Sequence, residues 1–179
     1  MMRNFFKLIP VFAFSTLAAV FMFGAKSETK ITGLGYLDRP LPDFDLQPMI
    51  GTDTGFSRQD LSGEVTMVNV FASWCAVCKK EHPYLMELAA TTDVPIYGLN
   101  WKDRKGGGKF FLTRTGNPYL AVGDDSSGVL GDQLNVTGVP ETYVVDGTGR
   151  IRYRHIGPMT GKIWEQTLWP LILRLRGGS

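Results

Sequence analysis

The sequence predicts a mixed α/β domain, a central sheet flanked by helices, behind a single N-terminal transmembrane helix. Three observations carry this. A strand-like run at Val65–Phe71 passes into a helical pattern from Cys75 to Ala90. Two more strand-like runs, Thr142–Val145 and Arg150–Ile156, flank Asp146-Gly147-Thr148-Gly149, a strong hairpin signal. No charged residue interrupts Leu8–Ala25. Strand, helix, strand and then helix, hairpin, helix needs parallel and antiparallel pairing in one sheet. The 179 residues suit one domain plus a tail. With 44% hydrophobic and 20% charged residues, the chain is neither disordered nor wholly membrane-embedded. Its net charge of +2 gives no reason to expect nucleic acid as a partner.

The front segment, residues 1–25, reads as an uncleaved membrane anchor. As a helix, the uncharged run would reach about 27 Å, close to the thickness of a bilayer's hydrocarbon core. A cleaved signal peptide is the alternative, but it has a shorter apolar region and small residues at the cleavage site, where Phe21-Met22-Phe23 stands here. Residues 26–37, polar and without apolar periodicity, read as a linker, and 38–179 as the folded domain.

Within that domain, DRPLPDFDL at 38–46 is held extended by its prolines. VTMVNVF at 65–71 is rich in β-branched residues and bounded by Gly63 and Ser73, as a buried strand would be. Cys78, His82, Leu85 and Leu88 then recur at three- and four-residue steps, so a helix follows, with Pro83 expected to kink it. Further strands are expected at Pro95–Asn100 and Tyr119–Val122, and short helices around Lys109–Arg114 and at Val129–Leu134. The basic stretch Lys102–Lys109 contains three glycines but lacks the spacing of a phosphate loop, so it reads as a flexible, solvated loop. An amphipathic helix from Gly161 to Arg176, bent at Pro170, closes the chain.

The chemistry-bearing motif is Trp74-Cys75-Ala76-Val77-Cys78-Lys79, at the junction of strand and helix. Cys75 falls at the helix N-terminus, where unpaired N–H groups and the helix dipole favour a negative sulfur. Lowering a thiol pKa from about 8.5 to about 7 takes roughly 2 kcal/mol of thiolate stabilisation. A partly buried helix end supplies up to about that much. Cys78, one turn inward, is then the natural resolving thiol. A purely structural disulfide would close too small a loop to stabilise much. A metal site drawing on Cys75, Cys78, His82 and His155 has suitable ligand types but no second cysteine pair. Redox exchange is the favoured reading. A dithiol exchanger beside an anchor suits an oxidising compartment, which settles an orientation that Arg3 and Lys7 against Lys26 and Lys30 leave nearly tied.

The second element is Gly138-Val139-Pro140-Glu141-Thr142, just before a strand. X-Pro bonds are the ones that adopt cis, and a cis Val139–Pro140 bond would present the backbone of Val139 to a substrate strand near Cys75. An ordinary edge-strand proline is the equal alternative from this segment alone.

Together these pieces resemble the thioredoxin superfamily. DRPLPDFDL, NVFASWCAVCKKEHPYL, YGLNWKD, GNPY and GVPETYVVDGTGRIRYRHIG are similar, more narrowly, to the thiol:disulfide interchange proteins of cytochrome c maturation, the DsbE type. The similarity spans about Asp38 to Gly157. It implies a thioredoxin fold, a redox-active pair Cys75–Cys78 in place of any cofactor, and a cis-proline at Pro140. It also implies a periplasmic domain on the inner membrane, acting as a reductant in haem attachment. The partners would be apocytochrome c or a haem-maturation protein on one side and a membrane thiol reductant on the other.

Two departures stand out. Ala76 occupies a position where the family commonly has proline, and Asn69 stands where thioredoxins carry a buried aspartate. Asparagine cannot take the resolving thiol's proton, so Glu81 and Glu141 become candidates for that role. Trp74 and Trp101 are expected to wall the site, and Trp164 and Trp169 to face the core. Three alternatives remain beside a reductant: a general disulfide oxidant or isomerase, a metal-delivering chaperone, and an anchored adaptor that does not need its cysteines.

Overall fold

The computed structural model describes residues 35–177. The anchor reading at 1–25 and most of the linker lie outside them. Among the described residues, no helix is long and apolar enough to cross a membrane.

Six strands form one sheet: β1 (Tyr36–Pro40), β4 (Thr66–Phe71), β5 (Ile96–Trp101), β6 (Ala121–Asp125), β7 (Glu141–Val145) and β8 (Arg150–Ile156), in the order β1-β8-β7-β4-β5-β6. Two short strands, β2 (Asp45–Leu46) and β3 (Phe56–Ser57), pair separately. β4 lies between β5, which it pairs parallel, and β7, which it pairs antiparallel, so the mixed sheet predicted from element order is present. All six residues of β4 are buried. Its alternation sends Met67 and Phe71 into one apolar cluster and Val68 and Val70 into the other, one on each face. Asn69, in step with Met67 and Phe71, therefore faces the side where α1 (Ala76–Thr91) packs.

Four details differ from the sequence expectations. β1 begins at Tyr36, taking in two residues whose composition reads as linker. The third parallel strand is Ala121–Asp125 rather than Tyr119–Val122, because Tyr119 turns into the core beside Phe71 with ring centroids 5.0 Å apart. The glycine-rich stretch is not a solvated loop. Helix α2 (Gly107–Thr115) starts within it, and Gly107 and Gly108 are buried. The terminal helix is interrupted: α4 (Gly161–Ile163) and α5 (Trp169–Gly177) flank a π turn at Trp164–Leu168. Pro170 has no N–H to return to the carbonyl four residues earlier, and Trp169 N bonds Trp164 O instead. Trp164 and Trp169 stack at 5.4 Å on the core, as their spacing predicted. A short helix α3 (Val129–Leu134) completes the set, and α1 runs on through Pro83.

Candidate active site

Cys75 is the N-cap of α1, with extended backbone geometry, and Cys78 lies in the first turn. The two are joined by a disulfide with Cα atoms 5.3 Å apart. The Cys78 amide donates to Cys75 Sγ at 2.9 Å. A free helix-end N–H thus points at this sulfur, the arrangement that stabilises negative charge on it after reduction. Cys75 and Cys78 are nearly buried, while Trp74 is 54% exposed and Val77 40%.

Across from the disulfide, the Val139–Pro140 peptide is cis. The Val139 carbonyl oxygen lies 3.5 Å from Cys75 Sγ. Trp74, Cys75, Cys78, Val139 and Pro140 therefore meet at one end of the sheet, where β4 ends and β7 begins.

Behind the cysteines sits a buried polar group that the apolar patterning conceals. Glu81 follows Cys78 by one turn, on the same buried face of α1, and is 2% exposed. Its Oε2 accepts from Met159 N at 2.6 Å and its Oε1 from Asn69 Nδ2 at 3.2 Å. Asn69 Nδ2 also donates to Thr142 Oγ1 at 3.1 Å, and its Oδ1 accepts from Tyr119 OH at 2.8 Å. Gly98 opposes Asn69 on β5 and leaves room for Tyr119, whose ring would lie 2.8 Å from any Cβ placed there. Burial lifts the Glu81 carboxyl to about 7, outweighing the two bonds that favour its ionised form. Burial and the neighbouring Glu81 together push the Tyr119 phenol well up.

Glu141 has a different setting. It is fully buried, and its two oxygens accept from Arg154 Nε and Nη2, Thr137 N and Oγ1, Gly138 N and Tyr143 OH. Burial pushes its carboxyl up, but Arg154 and the Thr137 and Tyr143 donors outweigh it and hold the group below its usual range. With its lone pairs occupied, Glu141 braces the loop that carries Pro140.

The histidines do not join the cysteines. His82 Nε2 bonds Gly116 O at 3.1 Å, its ring lies on Phe111, and burial lowers its pKa. His155 Nε2 bonds Pro158 O at 3.1 Å. Among the described residues, no cluster of three or more metal-ligating side chains forms. Trp101 packs with the cluster on the opposite face of the sheet from Cys75, so only Trp74 walls the site.

The redoxin family profile matches residues 37–168. The chain belongs to the redoxin family. This redoxin is 35% identical over 172 residues to the thiol:disulfide interchange protein DsbE of Allochromatium vinosum, covering 96% of this chain and 95% of that one. It is 34% identical over 170 residues to DsbE of Escherichia coli K12, covering 92% and 91%. Among solved structures it is similar in fold to a thiol-disulfide isomerase from Corynebacterium glutamicum, with a TM-score of 0.60 and 22% identity over 74% of this chain and 96% of that one. The resemblance drawn from the motifs is upheld, and this redoxin is a thiol:disulfide oxidoreductase of the DsbE type.

Sequence reasoning singled out both cysteines, Pro140 and both glutamates of this redoxin. Glu141, expected as a candidate for the resolving thiol's proton, is instead held below its usual range by Arg154 and its loop donors. The partners of these residues were missed. Tyr119 and Thr142 stood inside GNPY and GVPETYVV without a role. Met159 contributes only a backbone N–H, for which no sequence signal exists. Arg154 was one of three alternating arginines in β8.

Proposed function

We propose that this oxidoreductase is a membrane-anchored envelope reductant that opens disulfides, or resolves mixed disulfides, at CxxCH haem-attachment segments of apocytochrome c or a dedicated maturation partner. The observation that carries the chemistry is Cys75 at the α1 N-terminus, with Val139 and the cis-proline beside it. The choice of substrate rests on the DsbE relatives and on the GVPETYVVDG…IRYRH stretch.

In the reduced protein, the Cys75 thiolate attacks a substrate sulfur, forming a mixed disulfide and releasing the other substrate sulfur as a thiolate. Cys78 then loses its proton to Glu81 and attacks Cys75 Sγ. The second substrate thiolate leaves, and the Cys75–Cys78 disulfide forms. Two electrons pass to the substrate, and the Glu81 proton follows. A substrate strand pairs with the backbone of Val139, while Trp74 flanks it. The oxidised form is recharged by a membrane thiol reductant through the reverse exchange. The tether keeps the domain at high effective concentration toward membrane-bound partners.

A deletion strain should lose holocytochrome c while other envelope disulfide proteins stay oxidised, and external thiol should partly restore it. A plasmid-borne Cys78→Ser variant should accumulate mixed disulfides through Cys75 with the physiological substrate. Normal cytochrome c in the deletion strain would reject the substrate assignment and leave an envelope reductase of other targets.

A further inference from the structure

The turn after β5 is built onto the redox motif. The buried Asp103 carboxylate accepts from Ser73 N and Ser73 Oγ, both at 2.7 Å, and from Asn100 Nδ2 at 2.9 Å and Arg104 N at 2.8 Å. Ser73 is two residues before Cys75, so both of its polar donors are fixed from outside its own strand and helix. The residue beside Asp103 completes the attachment. Lys102 has a φ of 45°, a conformation that costs a non-glycine residue free energy, and its carbonyl accepts from Trp74 Nε1 at 3.1 Å. Helix α2 closes over this latch at Gly107. A Cβ there would lie 2.4 Å from Ser73 Oγ and 2.7 Å from Asp103 Oδ1, so only glycine lets the helix start this close.

We infer that Asp103 is a positioning residue for disulfide exchange with peptide and protein partners. It holds the Ser73–Trp74–Cys75 turn, and with the Lys102 carbonyl it fixes the exposed Trp74 indole as a rigid wall beside the sulfur that partners must reach. A partner chain lying along Cys75 and Val139 needs that wall in place. A small dithiol reaches the same sulfur without touching it. The latch therefore acts on how a polypeptide is seated and leaves the intrinsic reactivity of the Cys75–Cys78 pair nearly unchanged.

The test compares Asp103→Asn with the unaltered full chain on two reactants: dithiothreitol, and a synthetic peptide carrying a Cys-X-X-Cys disulfide. The amide keeps the size but presents an N–H to one of the Ser73 donors. The expected result is a tenfold or larger loss in kcat/KM for the peptide, mainly through KM, with less than a threefold change for dithiothreitol. The indole emission assigned to Trp74, as the difference from a Trp74→Phe counterpart in each background, should shift to the red. Equal losses on both reactants, no loss on either, or an unmoved Trp74 emission would overturn the role. Should Asp103→Asn fail to fold, Ser73→Ala removes only the hydroxyl bond. It must then show the same selectivity at smaller size, and proportional or absent effects there overturn the inference equally.

Discussion

Glu81 and Glu141 are 2% and 0% exposed, yet they do opposite things. Burial pushes both carboxyls up. At Glu141 a bidentate arginine at 2.9 Å, with the loop's own donors, reverses that push and holds the charge. At Glu81 the donors are one amide N–H and one asparagine, and the carboxyl titrates at about 7. Burial alone thus does not decide ionisation. The donors that meet the buried oxygens do, an arginine with four loop and phenol donors at Glu141 against two neutral donors at Glu81. They separate a brace from a group able to exchange a proton near neutral pH.

The largest expected effect comes from removing the brace. Glu141→Ala leaves Arg154 without its anion and the Thr137 and Gly138 donors unpaired. Loss of one partner of a buried pair costs about 3–5 kcal/mol. Urea or guanidinium unfolding should show that loss, and exchange with a protein disulfide should fall further than the unfolded fraction alone accounts for, since the loop that carries Val139 loses its anchor. A loss below about 1 kcal/mol would mean that Glu141 is not the anchor of the loop.

Glu81→Gln should do the reverse: cripple chemistry and stabilise the fold at higher pH. Removing a general base typically costs about 100-fold or more, so the Cys78 attack on a preformed mixed disulfide should slow by at least about that much. The sign of the stability effect follows from the raised pKa. The folded carboxyl keeps its proton to about pH 7, whereas the unfolded one ionises near 4.5. Glu81 should therefore contribute a fall in wild-type stability of about 3 kcal/mol as pH rises from about 4.5 to about 7. In Glu81→Gln that contribution should disappear, so the difference between the two proteins carries it free of the raised Asp125 and the lowered His82, which both proteins retain. Parallel pH profiles for the two proteins would show that Glu81 is not the titrating group.

The contrast between the two carboxylates also marks where sequence stops being informative. The strand-to-helix junction and the hairpin were legible because β-branched runs, helical spacing and Asp146-Gly147-Thr148-Gly149 are local signals. Cys75 and Cys78 declared themselves by spacing and position. Arg154 did not. Arg150, Arg152 and Arg154 alternate along one face of β8, and each finds a different acid: Asp38, Asp146 and Glu141. Only the pairing of β8 with β7 decides which of them is held against the cis-proline loop. The edge strand β1 was read partly as linker because Tyr36 and Leu37 gain strand geometry only by pairing with β8. The glycines after Lys105 read as slack, but Gly106, with open space around it, supplies the φ of 74° that starts the helix, while Gly107 and Gly108 are small for close packing against Ser73, Asp103 and Asn100. That contact is between elements remote in sequence.

The smallest expected effect probes the network that sets Glu81. Tyr119→Phe keeps the stacked ring on Phe71 and removes only the hydroxyl that donates to Asn69 Oδ1. Leaving that buried acceptor unpaired should cost about 1–2 kcal/mol, far less than losing the Glu141 pair. The more telling change is in titration. Tyr119 fixes which way the Asn69 amide points, and so keeps Nδ2 aimed at Glu81 Oε1. Once that restraint is gone, the ionised form of Glu81 loses part of a hydrogen bond, and its midpoint should rise by about half a unit. The pH profile of mixed-disulfide resolution should move up accordingly. The Glu141 pair, which Tyr119 does not touch, should keep the same denaturation response to Glu141→Ala in this background as in the wild type, since separate sites add. A resolution profile that stays in place would mean that Asn69 is held by Thr142 alone and that Tyr119 contributes packing but no tuning.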